Sequence, residues 1–169
     1  MTKLFASLAL CAGMLAAPVF AESDVTATLV KKLTASRDFT LKVAEAMPAD
    51  DYSFKLTPAQ MSFGEQLTHL SGSLSYFTSV FTGQKPPKAK PASNSKADVD
   101  AFVKAQYDQA IAVVSKLTPD QLAKVYDGEE GKETGLEQLM GMLDHATHHR
   151  ASAEMYLRAK GIKPPEYMN

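Results

Sequence analysis

Four long stretches of this chain repeat apolar residues every three or four positions, the spacing of one face of an α-helix. Alanine, leucine, glutamine, lysine and methionine dominate them, and no stretch alternates polar and apolar residues long enough to make a strand. The expected fold class is therefore all-α, a four-helix bundle with a crossover loop and a short extra helix.

The punctuation agrees. The first helix runs from Asp24 to Met47 with Leu29, Leu33, Thr40, Val43, Ala44 and Met47 on one stripe, and Pro48 stops it. Ser62 followed by Glu65 is a capping-box pattern opening a helix that carries Phe63, Leu67, Leu70, Leu74, Phe77 and Phe81 and ends at Gly83. "QKPPKAKPASNSK" mixes proline and lysine without large apolar residues and reads as a surface crossover. A third helix spans Ala97 to Leu117, and Thr118-Pro119 opens a short turn through Val125. "YDGEEGKET" reads as a polar, glycine-bearing loop. Thr134 with Glu137 caps a last long helix that reaches Lys160.

Residues 1–21 stand apart. "MTK" is a short positive start, "LFASLALCAGMLAA" an apolar run of signal-peptide length, and "PVFA" ends in a small residue, so cleavage is expected after Ala21. The apolar run is short and broken by Gly13 and Pro18, which disfavours a membrane anchor. The expected product is one domain over 22–169, periplasmic or secreted, with no membrane partner after cleavage. Cys11 is the only cysteine and would leave with the signal, so neither disulfides nor a catalytic thiol are available. A net charge of −1 leaves no basic footprint for nucleic acid.

The four histidines carry the chemistry. His145 and His149 in "HATHHR" are one turn apart, about 40° around the helix, so both imidazoles can face one ion. His148 points about 100° from His149 and suits an exposed pair with Asp144. His69, in the middle of the second helix, shares its face with Gln66, Ser73 and Tyr76 beside the apolar stripe. If the second and last helices are neighbours, three neutral imidazoles converge. Three protein ligands with open positions are the pattern of an exchangeable or catalytic metal site, and imidazole suits zinc, nickel, copper and ferrous iron alike. By spacing alone, a solvated helix surface or hydrogen-bonded core histidines explain the same residues equally well. Arg150 either packs its stem or pairs with a carboxylate.

Two segments go further. "MPADDYSFKLTPAQMSFGEQLTHLSG" and, much later, "LDHATHHRASAEMYLRAKGIKPPEY" resemble the DinB family of metal-binding four-helix bundles, over nearly all of the expected mature chain. The resemblance implies a metal triad of His69, His145 and His149, a divalent transition metal ion (zinc, nickel or iron) as cofactor, and no ligand role for His148. Family members commonly carry Gly-Gln after "HR", where this chain has Ala151 and Ser152, so a role of that glutamine does not carry over.

Characterised relatives in that family include thiol-dependent S-transferases and an isomerase that uses a low-molecular-weight thiol. The resemblance thus implies a metal-dependent hydrolase or thiol transferase with a small-molecule substrate, and export counts against the transferase. The alternative is a non-catalytic metal-binding or stress protein, with a homodimer left open. Gln66, Ser73, Tyr76 and Tyr156 flank the histidines, the two tyrosines as candidate positioning groups. No carboxylate lies within a turn of the triad on its face: Asp144 points away and Glu65 faces solvent. Catalytic residues are therefore left unassigned.

Overall fold

The computed structural model describes residues 23–86, 88–128 and 131–168. The expected signal peptide lies outside the described residues. Four long helices, α1 (Ser23–Ala46), α2 (Phe63–Thr82), α3 (Lys96–Val114) and α5 (Gly135–Ala159), are joined by a short 3-10 turn (Ala49–Asp51), a one-turn helix α4 (Pro119–Ala123) and a two-stranded hairpin of β1 (Val125–Gly128) and β2 (Gly131–Thr134).

Local chemistry sets the helix ends. Ser62 and Thr134 each accept from the backbone N–H three residues on, while Glu65 and Glu137 reach back to the cap N–H, satisfying donors that the first turn leaves orphaned. Gly83 ends α2 with φ of 66°, a left-handed position where a side chain would be strained. Gly135 is needed for room: a Cβ there would strike the Gln121 carbonyl and the Phe81 ring, because α4 folds tightly over the start of α5.

α1 packs on α3 and α5, and α2 packs on the same two, so α1 and α2 face each other across the diagonal. Side-chain contacts fix the directions. Lys96 at the start of α3 donates to the carbonyls of Ala44, Glu45 and Met47 at the end of α1, and the Thr26 hydroxyl at its start donates to the Leu117 carbonyl just beyond α3. The Tyr156 hydroxyl near the end of α5 donates to the Met61 carbonyl just before α2. Hence α1 runs antiparallel to α3 and α5 antiparallel to α2; α2 and α3 run parallel, since Tyr52 bonds both Gly64 at the start of α2 and Asp100 at the start of α3, while Ser75 meets Gln106 further along both.

Parallel neighbours need a link that returns the full length of a helix. α2, with 20 residues, is about 30 Å long. The segment 83–95 spans roughly 40 Å when extended, enough to run back along the bundle. This is the crossover expected from its proline and lysine content.

The core is built from the stripes read in the sequence. Leu33, Val43, Met47, Phe63, Leu67, Leu70, Leu74, Val103, Tyr107, Leu139, Met142 and Leu157 are fully buried, each burial contributing about 2 kcal/mol. A polar seam joins α1, α3 and α5. The Arg150 guanidinium donates to Ser36 Oγ (2.9 Å), Ser36 meets the Tyr107 hydroxyl (2.9 Å), and Thr40 completes the group. Arg150 lies 4.7 Å over the Phe39 ring and also donates to Thr147. Of the two expected roles, packing of its stem or pairing with a carboxylate, it takes the packed one, stacking on a ring and bonding hydroxyls.

One expectation is corrected. "YDGEEGKET" contains an antiparallel hairpin, with Val125 opposite Thr134 and Gly128 opposite Gly131. Its residues are half or fully exposed, so no apolar alternation marks it. The ladder, a Lys132–Asp127 ion pair and the edge of Tyr126 against Phe81 hold it instead. Among the described residues, no helix is long and apolar enough to cross a membrane.

Candidate metal centre

The antiparallel pairing of α2 and α5 brings the three expected histidines together. Gln66 stands opposite His149 and Ser73 opposite His145, with His69 midway between them. Ring centroids are 4.5 Å apart for His69–His149 and His145–His149, and 5.1 Å for His69–His145. One ring nitrogen from each lies within 4.8 Å of the other two. Nitrogens held at about 2.0–2.1 Å from one tetrahedral ion lie about 3.4 Å apart, so side-chain rotations have to draw the set together to close it on an ion.

The hydrogen bonds choose the tautomers. Gln66 Oε1 can only accept, so His149 donates from Nδ1 at 2.7 Å. Ser73 gives its single proton to the Leu70 carbonyl (2.7 Å), so its oxygen accepts from His145 Nδ1 at 3.0 Å. Both imidazoles therefore carry the proton on Nδ1 and leave the Nε2 lone pair for a ligand role, the arrangement that outer partners impose at metal sites. His149 is buried, and its pKa is lowered to about 4, first by that burial and then by the neighbouring His145, His69 and His148. It is neutral at physiological pH, as a ligand must be. A donor set of three imidazoles, two of them held in one tautomer by hydrogen bonds, fits a borderline-soft divalent transition metal ion.

Access comes from one side. His69 is exposed and His145 half-buried, and both open onto a cleft of about 470 Å³. Thr68, Gly72, Ser73, Tyr76 and Phe77 of α2 line it together with Ala89 and Lys90 of the crossover.

The other sequence-singled residues sort as follows. Gln66 and Ser73 orient ligands. Tyr76 is exposed beside the cleft. Tyr156 lies outside the cleft lining; its hydroxyl is committed to the Met61 carbonyl and its ring packs edge-on against Phe54 and Phe63, so its place is in the packing of the bundle end. His148 is exposed, with an edge-on contact to the His149 ring and no ion pair to Asp144 among the described residues. Glu65 is spent on the α2 cap and on Lys55.

Sequence reasoning missed Lys90, Ala89 and Phe77 as cleft residues. Phe77 was assigned to the core, and it does pack there while its ring reaches to 5.9 Å from His145. The crossover residues follow only from topology: a link between parallel neighbours has to lie along a helix, and here it lies along the histidine face of α2.

The fold and the cluster together define a class, the four-helix bundles with three histidines drawn from two antiparallel helices. The DinB family model matches residues 21–168, and the chain belongs to the DinB family. It is 26% identical over 137 residues to the protein YjoA of Bacillus subtilis (strain 168), covering 79% of this chain and 89% of that one. The crystal structure of YjoA, a DinB-like protein, superposes with a TM-score of 0.72 at 26% identity over 84% of this chain and 98% of that one. A DinB-like protein from Bacillus cereus ATCC 10987 has the same fold, with a TM-score of 0.73 at 17% identity over 82% and 95% of the two chains.

Proposed function

We propose that this protein binds a divalent transition metal ion (zinc, nickel or iron) through Nε2 of His69, His145 and His149. The observation that carries the proposal is the pair of hydrogen bonds that His149 and His145 donate to Gln66 and Ser73, which hold two of the three imidazoles in the metal-binding tautomer. Core histidines without a ligand role need partners too, but nothing requires three of them to bring one ring nitrogen each within 4.8 Å of the others.

Such an ion supplies Lewis acidity, which makes water or a thiol a usable nucleophile near neutral pH and so suits a hydrolase or a thiol transferase. The chain's own residues do the rest: three ligands leave room for exchange, the cleft admits a small molecule on the side of His69 and His145, and Tyr76 offers a hydroxyl in its lining. A second reading, a non-catalytic metal-binding protein, is favoured by one specific observation. No aspartate or glutamate is among the described residues lining the cleft, so no carboxylate stands ready as a general base. Export to the periplasm or beyond belongs to the proposal and rests on residues 1–21 by sequence alone.

Metal analysis of the purified protein tests the first claim. One equivalent of metal, lost in His145→Ala, is expected; absence of metal, or full retention in the variant, overturns it. Assays of the metal-loaded protein with small esters, lactones and electrophile–thiol pairs then separate the two readings. Turnover that disappears with His69→Ala supports the enzyme, and unchanged substrates throughout support the binder.

A further inference from the structure

The cleft beside the triad has a charge pattern of its own. The crossover 83–95 carries Lys85, Lys88 and Lys90 and no acidic residue, in a chain whose net charge is −1. Of these lysines, Lys90 lines the cleft. The described lining contains no carboxylate to neutralise it, and its remaining titratable groups are His69, His145 and the Tyr76 phenol. The same lining carries Phe77, the Tyr76 ring and the bare backbone at Gly72, with Thr68 and Ser73 as its neutral hydroxyls. A Cβ on Gly72 would meet nothing within 4 Å, so the glycine widens the cleft where no packing demands it.

A cation and an aromatic surface in one cleft, with no carboxylate beside them, suit an amphiphilic anion. We propose that the cleft takes a small carboxylate with an apolar or aromatic body, the body lying on Phe77 and over Gly72 and the carboxylate facing Lys90. The proposal deepens the reading of this cleft as the approach to the histidines, and it rests on that reading for its role, though not for the binding itself. Lys90 is exposed, so a neutral molecule of the same shape forgoes one partly exposed ion pair and a cation is repelled, and the site discriminates by charge as well as by fit.

The test uses the full protein in metal-free and zinc-loaded forms. Three probes share one body: 3-phenylpropanoate, its neutral amide and 3-phenylpropylamine, with binding followed by NMR shifts of the Gly72 and Ala89 amides. In the metal-free protein the carboxylate should bind about fivefold more tightly than the amide, the gain of one partly exposed ion pair, and the amine most weakly. Lys90→Gln should erase that preference and leave amide binding unchanged. Gly72→Leu, which fills the cleft while replacing glycine with a better helix former, should weaken all three probes by about tenfold or more. Both variants should bind zinc as the parent does and unfold at no lower temperature.

A preference that survives Lys90→Gln, probe binding indifferent to Gly72→Leu, or no carboxylate binding at millimolar concentration overturns the proposal. Because the decisive comparison is made without metal, a protein that takes no zinc but keeps the Lys90-dependent preference refutes the metal reading alone. One that takes zinc without the preference refutes this inference alone.

Discussion

Replacing Gln66 with methionine isolates the outer partner of a ligand from the ligand itself. Gln66 is 7% exposed, and its Oε1 accepts from His149 Nδ1 at 2.7 Å. Methionine has similar length and volume, so the loss of packing should stay under about 1.5 kcal/mol. The loss of the acceptor is the larger effect. In the metal-free protein a buried N–H is left without a partner, which costs about 1–3 kcal/mol, and the ring is free to turn or to move its proton to Nε2, where it blocks the lone pair. Removing an outer partner of this kind typically weakens metal binding about 10- to 100-fold, equivalent to about 1.4–2.8 kcal/mol. Competition for zinc with a chromophoric chelator at pH 7.5 measures it directly, with thermal unfolding as the check that the fold survives. Gln66→Glu is the companion: a carboxylate accepts the same hydrogen bond more strongly and should restore parental affinity or exceed it. A folded Gln66→Met protein that holds zinc within about twofold of the parent would show that the Gln66 contact does not prepare His149, and the tautomer argument would fall.

Four further outcomes follow from the same structure. His148→Ala should leave metal content unchanged where His145→Ala abolishes it, and loss in both would place His148 among the ligands. Unfolded His149 takes up a proton near pH 6.5 while the folded form resists until about 4, so its contribution to metal-free stability is complete above about pH 6.5 and falls away toward pH 4, by about 2–3 kcal/mol; urea titrations across that window should show the slope, and it should flatten in His149→Gln. Tyr156→Phe should cost about 0.5–1.5 kcal/mol, the worth of its hydrogen bond to Met61, with zinc affinity unaltered, whereas a selective loss of affinity would return Tyr156 to the site. Ser71 Oγ is buried without a hydrogen-bond partner, so Ser71→Ala should raise stability by about 1 kcal/mol in thermal or urea unfolding, and a clear loss would mean that the hydroxyl is satisfied in solution.

What could be read from the chain alone divides along physical lines. The stripes of α1, α2, α3 and α5 were legible because burial on one face of a helix imposes a period, and the caps at Ser62 and Thr134 because orphan N–H groups demand particular side chains. The histidine grouping was legible in part: spacing pairs His145 with His149 and the family resemblance adds His69, while spacing alone leaves His69 out until α2 packs against α5. The hairpin was not legible, since strands held by backbone pairing and exposed on both faces need no apolar alternation. Arg150 was left between two options because a buried guanidinium satisfied by Ser36, Thr147 and the face of Phe39 has no signature in local sequence. Lys90 was invisible for the opposite reason, its position depending on the course of the whole crossover.

That crossover contributes no buried residue among those described, while its neighbour α2 contributes ten. Between its capping ends, Gly83 and Ser95, mutations in it should cost folding little, yet they redraw one wall of the space in front of the histidines. Selection for a stable bundle and selection for what enters the cleft act on different residues, so one could drift or be retuned in the laboratory without a compensating change in the other.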